Sequence, residues 1–117
     1  MMMLENMMWR QRGLMTQLEA KSGQPLTMQE AVHGVVKEAA EILDVLQPGT
    51  KPWAATTALS EADTEAIDVM MYLLEYFLIR GYAAADIHRM FNNKHDIVQQ
   101  RLETKSLKES LEAKHEN

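Results

Sequence analysis

At 117 residues, with 12 basic against 17 acidic side chains and a net charge of −5, the chain has the length of one domain and lacks the basic excess of a nonspecific nucleic-acid binder. Apolar residues make up 46% and charged residues 25%, a globular rather than a disordered composition. The absence of cysteine excludes disulfides, thiolate zinc sites and thiol nucleophiles, so any metal takes oxygen or imidazole ligands.

Three Pro and five Gly against ten Met and many Leu, Ala and Glu predict helices, and no period-two segment competes. The first helix is expected from about Leu4 to Lys21, with Leu4, Met7, Met8, Leu14, Met15 and Leu18 apolar; Ser22-Gly23-Gln24-Pro25 ends it. Thr27-Met28-Gln29-Glu30 reads as a capping box opening a second helix that runs to about Leu46. A loop of about a dozen residues carrying Lys51-Pro52-Trp53 follows. Ser60 is expected to cap the third helix and Gly81 to close it. The fourth starts near Ala84 and passes Arg101-Leu102. Residues 1–102 then form one all-α domain, and 103–117 a charged tail or an extension of the last helix. Short connections favour an antiparallel four-helix bundle.

Glu5 and Arg10 interrupt the apolar start before a signal-peptide core forms, so the cytoplasm is the expected compartment. Ile67 to Ile79 is 13 residues long with Asp68 and Glu75 inside it, short of the roughly 20 that cross a membrane. Apolar residues on all sides of that segment predict cover by other protein, and hence an oligomer joined through the third and first helices.

On a helical wheel with Glu38 at zero, Ala31, Ile42, Val35, Leu46, Ala39, Val32, Leu43 and Val36 fill an arc from roughly 20° to 160°. Glu38 lies at its edge, and Glu41 follows one turn on. Glu65 and Asp68 repeat the spacing on the third helix, with Glu75 two turns beyond Asp68 on almost the same line. The plainer reading of such acids is a solvated face or salt bridges to Lys and Arg. Two pairs on consecutive helices can instead converge, and four inward carboxylates without cysteine or paired histidines suit Mg²⁺, which usually shares its shell with water and phosphates. His88 and His95 stand seven apart but lack a third ligand at matching spacing.

Glu38-x-x-Glu41, 23 residues, then Glu65-x-x-Asp68 resembles the paired signature of the all-α nucleotide pyrophosphatases, the MazG-like proteins and dimeric dUTPases. Lys51-Pro52-Trp53 looks like the Trp segment of phage-type members, and Gly81-Tyr82 before a helix bearing Lys94 and Arg101 resembles the third block; the likeness spans about residues 27 to 102. The resemblance implies a homodimer or homotetramer that hydrolyses a nucleoside triphosphate to the monophosphate and pyrophosphate, with no nucleic-acid polymer and no membrane as partner. Glu38, Glu41, Glu65 and Asp68 would hold Mg²⁺, or Mn²⁺ in its place, and Glu38 or Glu41 would activate the attacking water. Lys94 and Arg101 would neutralise phosphate oxygens, and Trp53 would stack on the base. Gln11 and Gln17 on the first helix could also reach a base. Lys37 stands where many relatives carry a further acid, which leaves the general base open. Val98 stands where many dimeric dUTPases carry Asn, which favours a broader or different nucleotide preference over dUTP alone. A dedicated dUTP diphosphatase is the alternative within the class, and a non-catalytic helical adaptor the alternative outside it.

Overall fold

A computed structural model describes residues 2–46 and 55–115. They form four α-helices and, among the described residues, no strand: α1 (Met2–Ser22), α2 (Met28–Val45), α3 (Ala55–Ile79) and α4 (Ala84–His115). None of these helices is long and apolar enough to cross a membrane.

Local signals set most of the ends. Gly23, at φ +73°, closes α1 by donating its N–H to the Glu19 carbonyl at 2.8 Å. The Glu19 carboxylate then accepts the Leu26 N–H at 3.0 Å, tying the turn back to α1. Thr27 caps α2 by accepting the Glu30 N–H at 3.2 Å, one half of the expected capping box. Gly81, at φ +82°, lets the chain leave α3 in a Schellman-type turn in which the Tyr82 N–H reaches the Phe77 carbonyl at 3.0 Å.

One boundary differs from the sequence reading, and at the C-terminal end the helix extension holds among the two alternatives. Helix α3 begins at Ala55, so Ser60 is an interior residue whose carbonyl accepts the Thr64 hydroxyl at 3.2 Å, not a cap. Helix α4 continues without a break from residue 102 to His115.

The chain divides into two compact units, Met1–Ala83 and Ala84–Asn117. In the first, α3 packs along α2 and, less extensively, against α1. Among the described residues the buried apolar side chains are Met8, Met15, Ala31, Ala62 and Leu74. Gly34 sits where α2 meets the Tyr72 ring, and a Cβ there would overlap the ring. The second unit is α4 itself. Its side chains from residue 88 to 113 are exposed, and an Arg89–Asp86 ion pair at 2.9 Å, a Gln99–Glu103 hydrogen bond at 3.3 Å and a Phe91–His95 ring stack decorate the helix.

Candidate functional site

The face that α2 turns to α3 is not centred on its apolar arc. The buried and half-buried residues are Ala31, Gly34, Val35, Glu38, Ala39, Glu41, Ile42 and Val45, a stripe with Glu38 near its middle. Val32, Val36 and Leu43, on the far side of the expected apolar arc, are exposed. Glu38 is therefore at the centre of the helix contact and not at its edge.

Helix α3 presents Glu65 and Asp68 to that face. One carboxylate oxygen from each of Glu38, Glu65 and Asp68 lies within 4.8 Å of the other two, and all three residues are half-buried. Glu41 is also half-buried and lies beside Glu65, whose proton affinity it raises. The four acids singled out in the sequence thus come together in the first unit. Among the described residues no Lys or Arg forms an ion pair with any of them; the ion pair present is Arg89–Asp86.

The electrostatics follow from that crowding. The Glu65 carboxyl is pushed up from 4.5 to about 7, chiefly by side-chain hydrogen bonding to Glu38, then to Glu41, with desolvation and the repulsion of both neighbours adding to it. Among the described residues no N–H or hydroxyl donates to Glu38 Oε2 or Glu65 Oε2, both of which are buried. Buried carboxylate oxygens without donors are costly unless a cation meets them. Three or four oxygen donors with no thiol or imidazole among them make a hard-cation set, so the residues fit Mg²⁺ or Mn²⁺.

A cleft of about 230 Å³ adjoins the acids, bordered by Glu38 and Asp68 and running between α1 and α3 to Gln11, Tyr72 and Glu75. Gln11 is 7% exposed and Glu75 is 5% exposed. Burial holds the Glu75 carboxyl above its ordinary range, with the carboxylates of Glu30 and Glu19 adding to the rise.

No family model, curated protein or solved structure matches the chain.

The remaining candidates fare differently. Trp53 lies outside the described residues. Lys94 and Arg101 are exposed on one stripe of α4, in the second unit. His88 and His95 are on the same helix, and His95 stacks on Phe91 at 6.2 Å between ring centroids. Gln17 is exposed, whereas Gln11 is buried on the stripe Met8, Gln11, Met15 that α1 turns inward. Gly34 was missed in the sequence, and so was the wall that Glu75 forms. A glycine inside a strongly periodic helix was the available signal for the first, and an acid within an apolar run was the signal for the second.

Proposed function

We propose that the chain is a Mg²⁺-dependent nucleoside triphosphate pyrophosphohydrolase, releasing pyrophosphate and the nucleoside monophosphate. The observation that carries this reading is the meeting of Glu38, Glu65 and Asp68, two of them with a buried oxygen that no N–H or hydroxyl of the described residues reaches, beside a cleft that Glu38 and Asp68 border. A cation site open to a cleft suits a substrate that completes the metal's shell with its own phosphate oxygens. Glu38, Glu41, Glu65 and Asp68 would be the protein ligands. Bound there, Mg²⁺ would supply positive charge against the phosphate chain.

The chain's own residues account for the rest. Glu38, at the centre of the helix contact with one free oxygen, is the better candidate to orient the attacking water and accept its proton; Glu41 is the alternative. Lys94 and Arg101, exposed cations outside the ion pair of the described residues, are the proposed phosphate contacts, and Trp53 the proposed base platform. The MazG-like spacing of the acids supports the same class. Low burial of apolar side chains on α1 to α3 supports a homodimer or homotetramer built from antiparallel bundles.

Pyrophosphate release from canonical and modified deoxynucleoside triphosphates, with Mg²⁺ and with chelator, tests this reading. Metal-dependent release that Asp68→Asn lowers at least about a hundredfold is the expected result. Silence across the panel from folded protein would leave the helical adaptor as the better account.

A further inference from the structure

Gly34 and Tyr72 meet where α2 packs along α3, one turn from the acids on either helix. Gly34 stands four residues before Glu38, and Tyr72 four residues after Asp68. A Cβ built on Gly34 would lie at almost the same distance from Cγ, Cδ1 and Cε1 of Tyr72, so the face of the ring, not its edge, rests on the glycine. Gly34 is buried, and the ring borders the same cleft as Glu38 and Asp68. The α2 backbone thus comes as close to the ring as the lack of a side chain permits. A methyl group there needs roughly 1 Å more room, because carbon atoms rest about 3.5–4.0 Å apart. Close-packed interiors transmit such a strain to the elements around it.

Glu38 belongs to α2, and Glu65 and Asp68 to α3, so the gap between these helices sets the span of the acids. One oxygen from each of the three lies within 4.8 Å of the others. Mg–O bonds of about 2.0–2.1 Å put opposed ligand oxygens roughly 4.2 Å apart, whereas Ca–O bonds of about 2.3–2.6 Å put them roughly 4.6–5.2 Å apart. The acids therefore stand at the boundary between the two ions, and a change in the helix gap of a fraction of an ångström decides between them.

We propose that the Gly34–Tyr72 contact is a positioning element, holding the acids of α2 and α3 at a span that a small cation can close and so favouring Mg²⁺ or Mn²⁺ over Ca²⁺. The inference rests on the cation site of the hydrolase reading. The pair supplies no ligand of its own and acts through the helix gap, as groups outside a metal's ligand set commonly do. The contact is made by ring carbons, so Tyr72→Phe keeps it. Gly34→Ala widens the gap, and Tyr72→Ala, which removes the ring, lets α2 settle toward α3.

Calorimetric titration of the metal-free full chain with Mg²⁺ and with Ca²⁺ reads both affinities without recourse to activity. Gly34→Ala should shift the ratio of the two at least about fivefold toward Ca²⁺. Tyr72→Ala should shift it at least about threefold toward Mg²⁺, and Tyr72→Phe should stay within about twofold of wild type. The opposite signs separate spacing from general loosening, which weakens both cations together. Equal losses of Mg²⁺ and Ca²⁺ in Gly34→Ala, shifts of one sign in both alanine variants, or a shift in Tyr72→Phe overturn the inference and leave the cation site standing. If Gly34→Ala does not fold, Tyr72→Ala decides, and a ratio it leaves unmoved overturns the inference. A wild type that binds neither cation overturns the cation reading itself, and this inference with it.

Discussion

Glu65 carries the crowding of the acid cluster as a proton. Its folded carboxyl titrates at about 7 against an ordinary 4.5. Between those values the folded chain holds a proton that the unfolded chain has released, so raising the pH through this window removes stability. Glu75, raised by burial, acts in the same direction. In chelator, the melting temperature of the wild type should fall from pH 4.5 to 7 more steeply than that of Glu65→Gln, which has no proton to lose. Mg²⁺ should reverse the trend, because metal ligands must be deprotonated and binding stabilises the folded state. Matching pH profiles for the two proteins in chelator would show that Glu65 is not protonated in the fold. The neutral variant also separates ligand from structural partner: relieved of repulsion, metal-free Glu65→Gln should melt no lower than wild type at pH 7, whereas loss of a structural ion pair would lower it.

Among the elements, α2 gives the clearest reversal of an ordinary expectation. Gly→Ala inside a helix normally stabilises by about 1 kcal/mol. At Gly34 the new methyl would meet the Tyr72 ring, forcing α2 and α3 apart or the ring out of place. Gly34→Ala should therefore destabilise by about 1–3 kcal/mol in urea unfolding, and Gly34→Ala combined with Tyr72→Leu should recover much of the loss. Stabilisation by the single change would show that the contact yields. Thr27→Ala should cost about 1 kcal/mol through the lost α2 cap, with no effect on Mg²⁺ affinity. These elements also measure what the sequence could tell. Caps and breakers are local, so Thr27, Gly23 and Gly81 were legible as ends, and the i, i+3 acids were legible as pairs. Ser60 misled because a good capping residue is also tolerated within a helix when its neighbours continue the pattern. The orientation of α2 was not legible: hydrophobicity centred its inward face on Ala39 and Val35, whereas the contact is centred on Glu38. Gln11 was hidden for the same reason, since a polar residue on an inward stripe looks like a surface residue until a cleft is seen beside it.

Taken as a molecule, the chain leaves much of its apolar surface uncovered. On α2 Val32 is 45% exposed, Val36 62% and Leu43 68%; on α3 Ile67, Met70 and Leu73 are exposed as well. No large side chain is fully buried among the described residues. A small domain with so slight a core is marginal alone, and oligomerisation is the usual remedy where disulfides and structural thiolate metals are absent. A second copy would find on α2 the apolar half of the arc that is not used against α3. Sedimentation velocity should give a mass of two or four times 13.4 kDa at micromolar concentration. Leu43→Glu and Leu73→Glu, each placing a charge on an exposed apolar position, should shift the distribution toward monomer and lower the melting temperature in a concentration-dependent way. A wild-type chain that sediments as a stable monomer would show that these faces are solvated and that α1 to α3 hold together without a partner.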